Sequence, residues 1–458
     1  MTTNLPFLEN ELMDVVRLFP GDGAVAEHVL SYADGTYKNT FTAGGKTYEF
    51  EDTMPAKNEL EYKRYAKRYA KLALYKILKE RYGMAMPWGA LTGIRPTKLA
   101  YTERAAGRDW QTLFRKMDVS EENIRLTGDI LRAQEGIYER RDSNCDLFVS
   151  VPFCPSKCVY CSFITADIRY TRKYLDEYME KLCFEIAASA PLVGNLRSVY
   201  IGGGTPLVLG TEHLKMLLDA LAPLRANDCE YTVEAGRPDV FTEEKLELLK
   251  AYGVTRICVN PQSLSDATLE RIGRKHTAKD VYRAYEMAAK YGFDVNMDLI
   301  AGLTGESFEE FAESLRAAVA LAPDNITVHT LCLKAGAKLK EEHARLDGDA
   351  VGRMVDYSRG ILRAAGYEPY YMYRQKYQAG NRENTGWTKP GKACVYNVDI
   401  MEETADNLAV GANAVSKKVH TGENRIERYG SPKDFQTYFN KIEDVIAKKR
   451  KLFAGERA

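Results

Sequence analysis

Six short apolar segments recur through the middle of the chain, and each is followed by a stretch with helical periodicity. Strands that alternate with helices form βαβ units and hence a parallel sheet. This rhythm alone fits an open doubly wound sheet or a partial barrel, and in both the loops after the strands build the site. The segments are LFVSVPF from 147, SVYIGGG from 198, EYTVEAG from 230, RICVNPQS from 256, DVNMDLIAGL from 294 and ITVHTL from 326.

The sequence on either side of this region has a different character. Residues 23–52 alternate aromatic or β-branched with polar residues around glycine turns, which predicts a small β-meander. Helical patterns follow over 56–83 and 119–139. Beyond 376 the chain is polar and glycine-rich before a strand-like stretch and a basic C-terminal helix. We predict an N-terminal α+β module over 1–143, an α/β core over 144–375 and an appended region over 376–458.

Charge and cysteine usage indicate the cellular compartment and the kinds of partner to expect. The 458 residues include 64 lysines plus arginines and 64 aspartates plus glutamates, so no global charge favours nucleic acid or a membrane surface. The N-terminal stretch lacks the pattern of a secretory leader, and no run approaches the roughly 18 apolar residues of a membrane span. Six of nine cysteines are scattered singly, which is typical of reduced thiols. We expect a cytoplasmic protein with neither a membrane nor a nucleic-acid partner.

The other three cysteines, Cys154, Cys158 and Cys161, fall in the loop after the first strand. Three thiolates this close can surround one soft metal centre. An iron–sulfur cluster usually takes four cysteines, so three would leave one iron open to a further ligand. The alternative is a structural zinc completed by a distant histidine. Such sites favour a second ligand pair downstream, which His276 and His329 do not supply.

The segment CPSKCVYC resembles the C-x3-C-x2-C signature of radical S-adenosylmethionine enzymes, in which three cysteines hold a [4Fe-4S] cluster and S-adenosylmethionine binds the fourth iron. GGGTP at 202–206, TVEAGRPD, NPQSLSDATLERIGRKH and NMDLIAGL extend the resemblance to the oxygen-independent coproporphyrinogen III oxidase family, over roughly 146–375. Segments at 88–101 and 369–397 resemble its coproporphyrinogen dehydrogenase branch. The resemblance implies an α/β fold: a radical-SAM partial (βα)6 barrel with an N-terminal α+β module and a C-terminal appended region.

The resemblance also implies a set of cofactor contacts. In the family the glycine turn meets the amino group of S-adenosylmethionine, and an aspartate matching Asp298 suits the ribose hydroxyls. Taken singly, Glu234 or Asp298 could instead pair with an arginine, and Gln262 could cap a helix. The matching positions are Phe148, Tyr160, Gly203, Gly204, Thr205, Glu234, Gln262, Arg274, Asp298 and, through its backbone, Val328.

The activity implied is oxidative decarboxylation. An electron from the reduced cluster would cleave S-adenosylmethionine, and the resulting radical would take a hydrogen from a propionate of coproporphyrinogen III, which then loses carbon dioxide and one electron. Two such events give protoporphyrinogen IX. The electron would come from a donor such as flavodoxin or ferredoxin. A tetracarboxylate needs cations, yet Arg169, Arg172, Arg237 and Arg374 near the predicted loops are expected to be surface residues. The tyrosines of YEPYYMYRQ fit either a macrocycle pocket or core packing.

One position departs from the well-characterised porphyrinogen enzymes. They carry a further cysteine two places after the third, where this chain has Phe163. Related haem chaperones also carry an aromatic residue there, and they bind haem through an H-N-x-x-Y segment. Here Tyr396 and Ile400 stand at the histidine and tyrosine positions of that segment. A haem-handling protein, or a radical enzyme with another substrate, therefore stays an alternative.

Overall fold

The computed structural model describes residues 1–20, 25–93, 95–163, 165–225, 228–332, 337, 347–376, 378–423 and 425–454. Contacts along the chain divide it into two compact units. Unit 1 comprises Met1–Gly128 with Arg374–Lys376, and unit 2 comprises Asp129–Tyr373 with Tyr377–Ala458. The three-part division at residues 143 and 375 stays a prediction about independently folding parts. Within the described ranges, no helix combines the length and the apolar composition that crossing a membrane requires.

Unit 1 contains the predicted meander and the long helix after it. Alternate side chains of β3, among them Tyr37 and Phe41, are buried, as one face of a half-buried strand requires. Asn58 caps helix α2 by accepting a hydrogen bond from the Glu61 amide (2.9 Å), and Gly83 ends the helix at φ +62°. The elements are β1 Thr2–Thr3, α1 Glu9–Val16, β2 Val25–Ala33, β3 Thr36–Ala43, β4 Lys46–Thr53, α2 Glu59–Tyr82, α3 Pro96–Ala105 and α4 Trp110–Lys116.

Helix α5 (Glu121–Ala133) leads into unit 2, where strands and helices alternate as the sequence predicts. The strands are β5 Asn144–Val151, β6 Phe153–Cys154, β7 Ala166–Asp167, β8 Asn195–Gly203, β9 Glu230–Gly236, β10 Arg256–Val259, β11 Asp294–Ala301, β12 Asn325–Thr330, β13 Glu368–Tyr373, β14 Asn384–Thr388, β15 Asp406–Val410, β16 Val415–His420 and β17 Arg425–Gly430. The helices are α6 Ile168–Thr171, α7 Leu175–Ser189, α8 Thr211–Leu221, α9 Glu243–Ala251, α10 Asp266–Arg271, α11 Ala278–Lys290, α12 Phe308–Leu321, α13 Gly348–Ala364, α14 Val395–Glu402, α15 Phe435–Asn440 and α16 Ile442–Ala454.

The strand order decides between the two architectures that the βα rhythm allows. Strands β5, β8, β9, β10, β11 and β12 pair in parallel and in chain order. A doubly wound sheet reverses its order at a switch point, whereas right-handed crossovers without reversal keep every helix on one face. Among the described residues, β13 and β17 are the outermost strands of the sheet and do not pair with each other, so these strands do not form a closed ring. The predicted partial (βα)6 barrel is confirmed.

The C-terminal part of unit 2 extends both edges of this sheet. Strand β15 pairs in parallel with β5, and β16 and β17 follow in antiparallel. At the other edge, β14 and β13 add to β12 in antiparallel. Helix α14 contacts both β13 and β8, which lie several strands apart. One helix can reach both strands only if the sheet curves around it, so α14 lies on the concave face.

A buried ion pair fixes the C-terminal helix α16 to helix α7. The side chains of Lys449 and Glu185 are both 0% exposed and form a salt bridge. Glu185 also accepts hydrogen bonds from the Tyr438 hydroxyl (2.6 Å) and the Gly411 amide (2.8 Å), while Lys449 also donates to the Ala409 carbonyl. Every charge in this network therefore has partners, as burial of an ion pair demands.

Candidate functional site

The three clustered cysteines lie in a loop that several hydrogen bonds hold in place. After β5, strand β6 pairs with β7, so that Cys154 lies opposite Asp167. The Cys161 amide donates to the Cys158 carbonyl (3.1 Å), and the Val159 amide donates to the Ile272 carbonyl (3.2 Å). These contacts fix the loop at the carboxyl end of the parallel strands, where the βα architecture places active sites.

The three thiols are buried or partly buried. Burial raises the pKa of Cys154, and it raises the pKa of Cys161 to about 11, with the neighbouring cysteines adding to the shift. Nowhere in the described ranges do three histidine, cysteine, aspartate or glutamate side chains converge on one metal ion. A cubane cluster gives each thiolate its own iron, so the sulfurs need not converge. Cluster binding would displace the thiol protons.

The glycine turn at the end of β8 packs directly against the cysteine loop. The Gly204 amide donates to the Val151 carbonyl (2.9 Å) and the Thr205 amide to the Phe153 carbonyl (2.8 Å). A Cβ atom on Gly204 would lie 2.5 Å from the Phe153 carbonyl oxygen, and Gly203 has φ +104°, so both positions require glycine. The Thr205 hydroxyl contacts the Cys154 sulfur at 3.6 Å.

Arg274 approaches the cysteine loop from the turn after helix α10. Its guanidinium is buried beside Cys158 and Tyr160, and it donates to the Asn260 carbonyl. Tyr160 in turn packs on the cluster of Leu269, Ile272, Ile300, Leu303 and Leu331. Two more predicted residues are thereby brought to the loop that carries the thiols.

Gln262 lies in a strained backbone conformation between two strands. It is 8% exposed with φ +67°, a left-handed conformation that a non-glycine residue rarely adopts. Its amide donates to the Asp298 carbonyl (2.8 Å), and its carbonyl accepts from the Ile300 amide (3.0 Å). Strain of this kind is held in place by surrounding structure and concentrates at functional sites.

A cavity of about 390 Å³ opens on the concave face of the sheet. Four predicted residues line it together, namely Phe148, Gly203, Glu234 and Asp298. The cysteines, Tyr160, Gly204, Thr205, Gln262, Arg274 and Val328 do not line it. The other lining residues are Ser150, Pro152, Phe163, Tyr200, Thr232, Arg256, Cys258, Asn296, Asn325, Thr327, His329, Tyr370, Tyr371, Tyr373, Cys394, Tyr396, Asn397, Ile400, Met401 and Asn413.

The side chain of Val328 does not face the cavity, because successive side chains of strand β12 point to opposite faces of the sheet. Its neighbours Thr327 and His329 line the cavity, so the Val328 side chain points to the opposite face and is buried there. Strand β12 pairs with β11 on one side and β14 on the other. Only the backbone of Val328 can therefore make the predicted contact with S-adenosylmethionine.

Glu234 occupies the wall of the cavity with two hydrogen-bond donors. The Tyr200 hydroxyl donates to Oε1 (2.6 Å), and the Gly203 amide donates to Oε2 (3.3 Å). Burial raises the pKa of Glu234 to about 7, although the hydrogen bond from Tyr200 opposes the shift. Near neutral pH this carboxyl can therefore accept or release a proton, and a bound cation would favour its ionised form.

Replacing Glu234 with glutamine should remove a pH-dependent loss of stability. As the pH rises from about 5 to 8, the unfolded chain ionises this carboxyl near its ordinary pKa of about 4.3, while the folded protein holds it protonated up to about 7. The wild type should therefore lose about 3 kcal/mol relative to the variant over this range. Urea unfolding of both proteins at the two pH values measures this change. A stability difference that is independent of pH would contradict it.

Asp298 lies across the cavity in a network that the sequence did not predict. Asn296 donates to it (2.8 Å), the His329 Nε2 atom lies 3.7 Å away, and the Tyr373 hydroxyl lies 3.3 Å from His329 Nδ1. Burial alone would raise the pKa of Asp298, but the contacts with His329 and Asn296 hold it below the usual value. The carboxylate is therefore ionised and ready to accept hydrogen bonds.

Stacked aromatic rings form one wall of the cavity. Tyr200 and Tyr396 stack with ring centroids 4.2 Å apart, and Phe148 stacks on both at 6.2 Å. Tyr396 comes from helix α14, so the helix on the concave face carries part of the site. From the sequence, Tyr396 was considered only as the residue at the position of a haem-ligating histidine. The preceding segment KPGKACV contains no pattern that predicts the stack with Tyr200 and Phe148.

The structure corrects two of the four arginines expected at the surface. Arg169 and Arg172 are exposed as predicted. Arg237 is 2% exposed because it pairs with Asp239 through two hydrogen bonds (2.9 and 2.7 Å) and donates to Ser156 between the first two cysteines (2.6 Å). Arg374 is buried in unit 1, where it lies over the Trp88 ring.

Comparisons with known proteins identify the superfamily and the fold. The sequence model described as Radical SAM superfamily matches residues 148–318. Proteins of this superfamily bind a [4Fe-4S] cluster and S-adenosylmethionine. The fold is similar to that of the coproporphyrinogen III oxidase HemN from Escherichia coli, a radical SAM enzyme, with a TM-score of 0.54, 20% identity and 72% of this chain and 74% of that chain covered.

Two curated relatives cover long stretches of sequence. The heme chaperone HemW of Escherichia coli (strain K12) is 30% identical over 278 residues, 59% of this chain and 69% of the relative. The oxygen-independent coproporphyrinogen-III oxidase-like protein HemZ of Bacillus subtilis (strain 168) is 33% identical over 444 residues, 93% of this chain and 87% of the relative. The chain therefore belongs to the radical SAM superfamily and, within it, to the family that includes the HemZ and HemW proteins.

Proposed function

We propose that this protein is a radical enzyme that oxidatively decarboxylates propionate side chains of coproporphyrinogen III to give protoporphyrinogen IX. Cys154, Cys158 and Cys161 would hold the [4Fe-4S] cluster, whose fit rests on three soft sulfur donors in one loop. With S-adenosylmethionine bound, such a cluster supplies one-electron chemistry that removes a hydrogen atom from an unactivated carbon.

The observation that carries the proposal is the aromatic cavity beside the cysteine loop. Five tyrosines and Phe148 line it, and it opens near the carboxyl ends of the strands that carry Gly203, Glu234 and Asp298. Aromatic faces suit the flat pyrrole units of a tetrapyrrole. In this arrangement Glu234 would accept hydrogen bonds from the amino group of S-adenosylmethionine and Asp298 from its ribose hydroxyls. Gln262, Arg274 and the backbone of Val328 are proposed as further contacts.

The cations of the cavity limit how the substrate can bind. Among the described lining residues, Arg256 is the single lysine or arginine, and its guanidinium already contacts Glu230 (3.5 Å), Asp294 (3.8 Å) and Asn325. The cavity therefore suits one reacting propionate at a time, with the other carboxylates held outside it. Transfer of a hydrogen atom from that propionate to the radical, release of carbon dioxide and transfer of one electron to an external one-electron acceptor would leave the vinyl group.

A haem-handling protein is the second candidate, and Phe163 favours it. This residue stands where the porphyrinogen enzymes carry a further cysteine, and the related chaperones have an aromatic there. Against this candidate, Ile400 lines the cavity and Tyr396 is committed to the stack with Tyr200. Neither position offers the histidine that the chaperone segment would supply.

One experiment separates these functions. The protein is reconstituted anaerobically with iron and sulfide and reduced with dithionite, and 5′-deoxyadenosine is measured with and without coproporphyrinogen III. Formation of 5′-deoxyadenosine that depends on the substrate, with protoporphyrinogen as product, supports decarboxylation. Cleavage that is indifferent to coproporphyrinogen indicates another substrate, and tight haem binding without cleavage supports the haem-handling candidate.

Replacing Gly204 with alanine should weaken S-adenosylmethionine binding. The new methyl group would meet the backbone oxygen of Phe153 at 2.5 Å, so the turn must move away from the cysteine loop. We expect Kd to rise about tenfold or more, which is 1.4 kcal/mol, as measured by calorimetry on the reconstituted protein. Gly210→Ala is the matched control because that position has open space around it and φ −66°. Equal affinities in both variants would contradict the assignment of the turn.

A further inference from the structure

A buried arginine joins the cysteine loop to the segment that follows strand β9. Arg237 comes directly after β9, and it is 2% exposed. Its Nη1 atom donates to the Ser156 hydroxyl at 2.6 Å. Ser156 lies midway between Cys154 and Cys158 in the sequence. A short hydrogen bond from a buried cation therefore reaches the stretch of chain between two of the proposed cluster ligands.

Asp239 fixes the direction in which the guanidinium of Arg237 faces. The Nε and Nη2 atoms donate to its two carboxylate oxygens at 2.9 and 2.7 Å, a bidentate geometry that arginine and carboxylate favour. Nη1 lies on the opposite edge of the planar guanidinium, and it is this atom that contacts Ser156. The ion pair therefore turns its positive end toward the cysteine loop and its negative end away from it.

The charge of Arg237 acts on the thiol nearest to it along the loop. Burial raises the pKa of Cys154, and the positive charge of Arg237 opposes this rise. Burial would also raise the pKa of Asp239, but its hydrogen bonds and ion pair with Arg237 hold the pKa below the usual value. Both members of the pair are therefore charged at neutral pH.

Other ionisable groups surround this pair. His276 is close enough to Asp239 to interact with it electrostatically, but burial lowers the pKa of His276 to about 4, so its ring is uncharged at neutral pH. Asp167 and Arg169 neutralise each other in an ion pair of 2.5 Å. Further cations at the cysteine loop are the exposed Lys157 and the buried Arg274.

We infer that Arg237 sets the reduction potential of the iron–sulfur cluster, an inference that rests on the proposed [4Fe-4S] cluster. Reduction adds one electron to the cluster, with no bond or proton exchanged. Net charge and hydrogen bonding around such clusters set their potential. A fixed cation beside the loop stabilises the added electron, so the reduced cluster forms more readily. Arg237 acts through its charge and through Ser156, and it is a positioning residue.

A redox titration of the reconstituted protein tests this role. Dithionite serves as the reductant, S-adenosylmethionine is left out, and electron paramagnetic resonance measures the reduced cluster. Arg237→Gln removes the positive charge, and Asp239→Asn removes its negative partner. We expect Arg237→Gln to lower the equilibrium constant for reduction about tenfold, which is 59 mV for one electron, and Asp239→Asn to raise it. A merely structural role would not make the direction of the shift follow the sign of the charge removed.

A matched ion pair elsewhere in the sheet provides the control. Arg382 donates to both carboxylate oxygens of Asp356, at 2.7 and 2.9 Å. It lies two residues before β14, which is four strands away from β9 in the sheet. Arg382→Gln and Asp356→Asn make the same changes of charge, and both should keep the wild-type potential.

The direction of each shift decides the inference. Opposite shifts in Arg237→Gln and Asp239→Asn, absent from the control pair, support it. Shifts in the same direction, unchanged potentials or equal shifts in the control pair overturn it. If Arg237→Gln takes up no iron, the potential of Asp239→Asn decides alone, since a rise supports the inference and no rise overturns it. Absence of a reducible cluster from the wild type would instead refute the proposed cluster and, with it, the proposed function.

Discussion

Replacing Cys158 with alanine should abolish cluster binding and, with it, all cleavage of S-adenosylmethionine. Cys158 is the most buried of the three thiols, and the Arg274 guanidinium lies beside it. Two remaining thiolates would leave a second iron without a protein ligand. Loss of a residue that only hydrogen-bonds to a metal ligand lowers metal affinity by about 10-fold to 100-fold. Loss of a ligand itself should therefore lower the affinity for the cluster by at least about a hundredfold. Iron and sulfide content after anaerobic reconstitution measures it directly.

A cysteine outside the loop provides the control for this variant. Cys183 is half-buried on helix α7, with its sulfur 3.7 Å from the Met216 carbonyl oxygen. Cys183→Ala should keep the iron content and cleavage rate of the wild type. A Cys158→Ala protein that still takes up iron and cleaves S-adenosylmethionine like the control would refute the assignment of the loop.

The second large effect concerns stability. Lys449→Met should lower the free energy of unfolding by about 3–5 kcal/mol, because it leaves the Glu185 carboxylate buried without its counter-charge. The Tyr438 hydroxyl and the Gly411 amide would still donate to Glu185, but neither carries a positive charge. Urea unfolding of wild type and variant at neutral pH measures the difference.

The neighbouring lysine of the same helix isolates the effect of burial. The side chain of Lys448 is 54% exposed and pairs with Asp444 on the surface (2.7 Å), so Lys448→Met should change stability by less than about 1 kcal/mol. Replacing both partners in Glu185→Gln/Lys449→Met should recover part of the loss, since no unpaired charge remains. Similar losses of unfolding free energy in Lys448→Met and Lys449→Met would show that the buried pair stabilises the protein no more than the surface pair does.

The βα rhythm of the sequence predicted the six strands β5 and β8 to β12, because buried parallel strands are short apolar runs with clear boundaries. The partners of the later strands could not be predicted in this way. NLAVGANAVSK reads as a strand, but nothing in its composition shows that Leu408 lies opposite Leu147. Pairing between distant segments depends on the whole sheet, and one apolar strand resembles another.

The candidate site was predictable where it depends on short motifs. The cysteine loop follows β5 and the glycine turn ends β8, whereas Glu234 and Asp298 lie within β9 and β11. They come together because these strands are parallel members of one sheet. Tyr373 belongs to the segment YEPYYMYRQ, which was predicted to fit a macrocycle pocket or core packing, and it lines the cavity. His329 was considered only as a distant zinc ligand, and its contacts with Asp298 and Tyr373 were missed because a single polar side chain in a strand carries no signature of what faces it. Arg237 was expected in solvent, and only the structure shows that Asp239 and Ser156 compensate the burial of its charge.

The pairing of β15 with β5 has a consequence for how the chain folds as it is made. More than half of the sequence separates these two strands, so the first barrel strand leaves the ribosome long before its outer neighbour exists. Until then one edge of the nascent sheet presents unpaired amides and carbonyls, which is a template for aggregation. Folding of unit 2 should therefore finish only after the C-terminal segment has left the ribosome. Any requirement for a chaperone should fall between the synthesis of β5 and the release of β15.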